Sequence, residues 1–299
     1  MTSFRAMDTD VILRAPGRGA IEVAALVRGA ALAFEDAERR FSRFDPTSEL
    51  ASFNRARSSV RVTRPFFDAL VDARAYVELT GGLFDPCIGS TLAALGYDRS
   101  FGTGLDVASR PHRPADVASF SDVVLDPETV TVTRPEGVTI DLGGMVKGRT
   151  VDRVARTLAA PAAIVAGGDG SVLGDGVEGE GYLLDIEDPR DPARVLLSLR
   201  ISDRAFATSS PNRRRWRVGR EERHHLVDPR TVLSSASDLA QVTVLAQSAE
   251  RADVFAKTLY LLGERGAAAF VARHRDLAAV LVRMDGTTRL LGEMEVVDA

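Results

Sequence analysis

The sequence predicts an α+β fold in which mixed and antiparallel sheets carry packed helices. Four segments repeat apolar residues at helical spacing, several others alternate at strand spacing, and the two kinds do not alternate regularly along the chain. A doubly wound parallel sheet would require that regular alternation. The first helix is predicted over residues 21–41, where Val23, Leu26, Ala30, Phe34, Ala37 and Phe41 share one face. A second begins near Thr63, with Pro65 suited to a first turn and Phe66, Leu70, Ala73 and Val77 on one side, and stops at Gly81-Gly82. Val151, Val154, Ala155 and Leu158 mark a third after Lys147. Ala252, Phe255, Ala256, Leu259 and Leu262 mark a fourth that ends at Gly263. Strands are predicted at residues 162–166, 195–201, 241–245 and 279–283.

With 299 residues and a formal charge of -4, the chain is long enough for a large core. It reads either as one domain over 1–299 or as two intimate halves with a seam near 102–121, a stretch rich in Pro, Arg, Asp and Ser. The mild acidity argues against nucleic acid as the main partner. No apolar run approaches the roughly 18 residues of a membrane helix, and MTSFRAMDTD lacks the basic-then-apolar pattern of a secretory leader, so no membrane anchor and a cytoplasmic location are expected. The single cysteine, Cys87, excludes a disulfide framework and reads as a small buried hydrophobe. Of 38 basic residues only Lys147 and Lys257 are lysine, so those two positions stand out as places where a compact ammonium is wanted rather than a planar fork.

Individual motifs are ambiguous. Gly167-Gly168-Asp169-Gly170 follows a predicted strand and offers backbone amides to a phosphate, but a plain glycine-rich turn explains it as well. His224-His225 lies on an extended segment, where neighbours point to opposite faces and only one can enter a given site. Arg213 to Arg215 with Arg217, Arg220 and Arg223 reads as an anion grip or as a solvated strand edge.

The motifs are more informative in series. Met7-Asp8-Thr9 comes first, then Phe41-Ser42-Arg43-Phe44-Asp45-Pro46 with Ser48-Glu49-Leu50 and Asn54, then Gly81-Gly82-Leu83-Phe84-Asp85-Pro86 with Leu95-Gly96-Tyr97-Asp98. Asp141-Leu142-Gly143-Gly144, Lys147-Gly148, Asp152 and Ala166-Gly167-Gly168-Asp169 follow. Ala207-Thr208-Ser209, His225-Leu226-Val227-Asp228-Pro229-Arg230-Thr231 and Ala252-Asp253 close the series. In this order and over nearly the whole length, the chain resembles the ApbE family of FAD:protein FMN transferases.

That resemblance implies a T-fold-like α+β architecture and transfer of FMN from FAD to a Ser or Thr hydroxyl of a client protein, releasing AMP. It implies that Met7 and Phe44 flank the flavin. Leu83, Phe84, Asp85, Asp141 and Val227 would complete the FAD contacts, and Lys147 would meet the phosphates. His225 would be the general base, histidine titrating near neutral pH. Asp253, with the Gly144 carbonyl, would hold Mg²⁺ through oxygen ligands.

Four positions depart from the family pattern. Asp8, Ser210 and Val232 stand where the family has glycine. Lys257 stands four residues after Asp253, where the family has a metal-binding threonine; a protonated lysine has no lone pair to offer a cation. Three outcomes stay open: the ammonium takes over part of the metal's role, the site degrades, or Lys257 simply points outward in an ion pair. The alternatives to transfer are therefore an FAD-binding protein that stores or delivers the flavin, and an FAD hydrolase yielding FMN and AMP.

Overall fold

The computed structural model describes residues 2–56, 59–98 and 119–297. Two compact units divide the chain: the first comprises Met1–Glu35, Lys147–Ser210 and Ser237–Ala299, the second Asp36–Val146 and Pro211–Ala236. Of the seam expected near 102–121, residues 102–118 lie outside the described residues.

Unit 1 is organised by one sheet of eight strands: β1 (Thr2–Ala6), β2 (Thr9–Arg14), β3 (Ala162–Ala166), β4 (Asp169–Leu173), β5 (Ala205–Ser209), β6 (Leu239–Ala246), β7 (Ala278–Arg283) and β8 (Thr288–Leu291). Their order in the sheet follows their order in the chain, and every neighbouring pair is antiparallel. Both faces are covered. On one, Val11, Leu13, Ile164, Ala166 and Ala205 pack with residues of the helices α1 (Ala20–Phe41), α5 (Val146–Ala155) and α6 (Ala249–Arg273). On the other, Ala163, Val172, Phe206 and Val280 meet Ile186, Leu197, Leu199 and Ile201 of a three-stranded sheet built from Tyr182–Asp188, Asp191–Ile201 and Glu295–Val297. The alternation of Ala163 and Ile164 between these two clusters is the period-two pleat of a strand with both faces buried.

Unit 2 holds the rest of α1 with α2 (Glu49–Arg55), α3 (Arg64–Leu79) and α4 (Gly89–Ala94), together with short sheets. Phe66 of α3 stacks on Phe41 with ring centroids 5.8 Å apart and lies 5.5 Å from the Phe53 ring. The hairpin Arg215–Val218 with Glu221–His224 places Trp216 in an apolar cluster with Leu92, Leu95, Tyr97, Val218 and Val227.

Periodicity locates the helices closely. The fourth differs at its end: at Gly263 the backbone turns to φ 66°, and the helix then resumes to Arg273. Asp238 explains the restart, because its Oδ1 accepts the Glu264 N–H at 3.0 Å and caps the second stretch, while a side chain at Gly263 would collide with that same oxygen. Among the described residues no helix is long and apolar enough to cross a membrane.

Candidate active site

The chemistry-bearing residues of unit 1 come from turns and helix starts around the large sheet. Met7 and Asp8 form the two-residue turn of the β1–β2 hairpin, both in the left-handed region at φ 49° and 58°. Such a turn needs positive φ at both positions, and aspartate tolerates it better than most residues, so Asp8 keeps the backbone shape a glycine would give. Its carboxylate also pairs with Arg5 at 3.1 Å. Gly167, between β3 and β4, adopts φ 62° with Thr9 so close that an added Cβ would lie 2.5 Å from Thr9 Oγ1; its N–H donates to the Asp10 carbonyl at 3.1 Å. The glycine-rich turn is thus fastened to the hairpin that carries Met7.

Asp169 follows that turn and is 1% exposed. Lys147, in the first turn of α5, brings its Nζ to 3.1 Å from Asp169 Oδ2. Burial and the neighbouring Asp253 push the Asp169 carboxyl up to about 7, against the opposing pull of Lys147 and Lys257. Asp253, 4% exposed on α6, pairs through Oδ1 with the ammonium of Lys257 one helical turn later. Its Oδ2 accepts no hydrogen bond among the described residues.

The helices carrying these groups are docked by two residues whose roles the sequence did not disclose. Gly148 lets α5 touch the start of α6: a Cβ there would lie 2.4 Å from the Ala249 carbonyl oxygen. The Asp152 carboxylate accepts the N–H of Ala249 at 2.7 Å and of Glu250 at 2.9 Å, and Ser248 Oγ accepts that of Arg251 at 3.2 Å. Three of the open donors of α6 are thereby satisfied, and Arg149 adds an ion pair to Glu250 at 2.9 Å.

In unit 2 the organising side chain is Arg43, a member of the Phe41–Pro46 motif. Its Nε pairs with Asp141 Oδ2 at 2.6 Å, and its Nη1 donates to the Tyr97 carbonyl at 2.6 Å. Its guanidinium lies 4.2 Å from the Phe44 ring centroid and 4.3 Å from that of Tyr97. One arginine therefore ties together the segments around residues 44, 97 and 141. Asp141 in turn accepts the Gly143 N–H at 2.6 Å and shapes the turn that holds Gly144. Asn54 fixes the strand of backbone before it, exchanging two hydrogen bonds with the main chain of Ile140 at 2.8 and 2.9 Å.

The expected FAD contacts of unit 2 fall into two groups. Phe44 is 36% exposed, with the Arg43 guanidinium over its ring, and Leu83 is half-buried. Phe84 and Val227 are core side chains. Both oxygens of Asp85 face main-chain donors: Cys87 N–H at 2.8 Å and Phe120 N–H at 3.2 Å to Oδ1, and Phe120 N–H at 3.1 Å to Oδ2. Burial pushes the Cys87 thiol up, so it stays protonated and unreactive.

The two histidines are held differently. His224 is anchored, with Nε2 at 3.0 Å from the Ser235 carbonyl, to which it donates, and its N–H donating to Ser234 Oγ at 2.9 Å. Burial, then the Arg215 charge, hold its pKa below the usual histidine range despite the opposing carbonyl. His225 is held by its main chain, its N–H donating to the Arg214 carbonyl at 3.3 Å. The turn after it carries Val232 at φ 56° and is closed by Arg230, whose Nε and Nη2 grip Asp228 at 2.9 and 2.6 Å.

A divalent metal does not fit the donors expected for it. Mg²⁺ takes several oxygen ligands. The Asp253 carboxylate is already engaged by an ammonium, and that ammonium has no lone pair to contribute. Among the described residues no group of three or more His, Cys, Asp or Glu converges as a metal cluster.

The fold is similar to those of solved structures. The ApbE protein of Thermotoga maritima superposes with a TM-score of 0.83 at 24% identity, covering 97% of this chain and 96% of that one. The flavin transferase ApbE of Vibrio cholerae gives 0.78 at 20% identity, covering 98% and 96%. Both show an α+β fold of this type. The ApbE family model matches residues 7–281, and the chain belongs to the ApbE family. Among its relatives, a protein of Klebsiella pneumoniae (strain 342) named FAD:protein FMN transferase is 27% identical over 246 residues, 79% of this chain and 75% of the relative. One of the same name from Treponema pallidum (strain Nichols) is 24% identical over 310 residues, 94% of this chain and 84% of the relative.

Proposed function

We propose that this chain, by family an FAD:protein FMN transferase, moves FMN from FAD onto a Ser or Thr hydroxyl of a client protein. The observation that carries the reading is the family match across residues 7–281, within which His225, Asp141, Lys147 and Asp253 all stand in motif order. The client oxygen forms a bond to the phosphorus on the FMN side. The phosphoanhydride bond breaks, its electron pair leaves with AMP, and the hydroxyl proton passes to His225.

The other residues bind and orient. Phe44 offers a flat face to the flavin and Met7 a polarizable thioether. Lys147 meets phosphate charge as a point cation. Leu83, Phe84 and Val227 supply apolar walls, while Asp85 and Asp141 act chiefly by fixing the turns they bind. A cytoplasmic setting suits the single buried thiol.

The test is incubation with FAD and a client peptide carrying Ser or Thr, reading AMP release and covalent flavin fluorescence together. His225→Ala should retain FAD and lose roughly 10²- to 10⁴-fold in transfer, the scale of a lost general base. His224→Ala should lose far less. Equal losses in the two would remove His225 from the mechanism, and FMN with AMP but no labelled client would make the chain a hydrolase.

A further inference from the structure

We propose that Lys257 is the built-in cation of this site, its ammonium standing beside Asp253 where a divalent ion would otherwise be needed, so that the chain binds the FAD diphosphate without metal. The inference deepens the proposed function and rests on it for the identity of the ligand.

Composition and geometry support it independently. The chain carries 38 basic residues and only two lysines, and both, Lys147 and Lys257, lie in one cluster with two buried carboxylates. Lys147 pairs with Asp169 and Lys257 with Asp253, on α5 and α6. Arginine serves as cation everywhere else. A guanidinium presents a broad planar fork, whereas an ammonium is compact and directs three donors at once. That difference matters where a charge must sit close to a carboxylate and still face an anion.

Charge counting gives the consequence. Two ammonium groups balance two carboxylates even when both are ionised, so the cluster has no excess negative charge to attract Mg²⁺. Replacing Lys257 by a neutral residue leaves one carboxylate uncompensated in a buried setting, and such a group recruits a cation. Threonine at this position would also add an oxygen ligand one turn from Asp253.

The experiment uses Mn²⁺ as probe, read by its electron paramagnetic resonance signal, on wild type, Lys257→Thr and Lys257→Met. It is paired with FAD titration by flavin fluorescence in chelator-treated, metal-free buffer. Wild type should bind Mn²⁺ at least about tenfold more weakly than Lys257→Thr, a difference of about 1.4 kcal/mol. In metal-free buffer Lys257→Met should bind FAD about tenfold more weakly than wild type, and Mn²⁺ should restore binding more fully to Lys257→Thr, which adds an oxygen ligand, than to Lys257→Met, which only uncovers the Asp253 charge. Circular dichroism melts of each variant separate a lost cation from a lost fold. Equal Mn²⁺ affinity in wild type and Lys257→Thr, or metal-free FAD affinity that ignores Lys257, overturns the proposal. Failure of wild type to bind FAD at all would instead overturn the proposed function, while the Mn²⁺ comparison would still decide whether Lys257 excludes the metal.

Discussion

Val232 is a β-branched residue held in the left-handed region at φ 56°, where its Cβ crowds the following carbonyl. The turn survives because the Val232 N–H donates to the Asp228 carbonyl at 2.8 Å and Arg230 grips the Asp228 carboxylate. The strain is of order 1–2 kcal/mol, and glycine would release it at a cost of roughly 0.5–1 kcal/mol in unfolded-chain entropy. Val232→Gly is therefore expected to raise stability slightly, by about 0.5–1 kcal/mol, in chemical denaturation. A loss of stability would mean that the valine side chain makes packing contacts worth more than the strain. Asp8 is the contrasting case, since aspartate accommodates its φ of 58° with little strain and gains an ion pair to Arg5. Two departures that look alike in sequence thus differ in physical cost.

At the scale of elements, the Lys147-Gly148 pair and Asp152 form a helix-docking device. Gly148 permits contact between α5 and the start of α6, and Asp152 supplies the acceptors that the opening turn of α6 lacks. Gly148→Ala forces backbone apart at 2.4 Å and should destabilise by about 1–3 kcal/mol, whereas Asp152→Ala should cost about 1–2 kcal/mol through the lost cap. Both variants should weaken FAD binding in step with the displaced Lys147 and Lys257. Thermal melts with FAD titration measure the two effects, and a Gly148→Ala protein as stable as wild type would contradict the close approach. These roles also show where sequence reading stops. Helix faces were legible because burial imposes a period of 3.6 on residues such as Val151, Val154 and Ala155. Arg43, Asp152 and Asp169 were legible only as letters in motifs, because their partners Asp141, Ala249 and Lys147 come from other elements and no local spacing encodes such contacts. Lys257 was an exception, readable in advance because helical spacing alone sets its distance from Asp253.

At the scale of the whole molecule, two compact units make a single unfolding free energy ill-defined, so stability is better read unit by unit. The chain contains one tryptophan, Trp216, buried in unit 2 on the strand that pairs with His224's strand, so its fluorescence reports the unfolding of that unit. His224 titrates below its ordinary value because burial and Arg215 disfavour its charged form. The unfolded chain therefore takes up a proton at higher pH than the folded one does. Between the depressed folded pKa and the unfolded value of about 6.5, the unfolded state binds more protons, and stability rises with pH and levels off above that value. The urea midpoint followed by Trp216 fluorescence should fall as pH drops from 7 to 5, and the fall should be shallower in His224→Gln, which cannot take up that proton. An unchanged slope in the variant would show that His224 carries its charge equally well folded and unfolded. Its Nε2 would then not need to remain the sole proton carrier that donates to the Ser235 carbonyl.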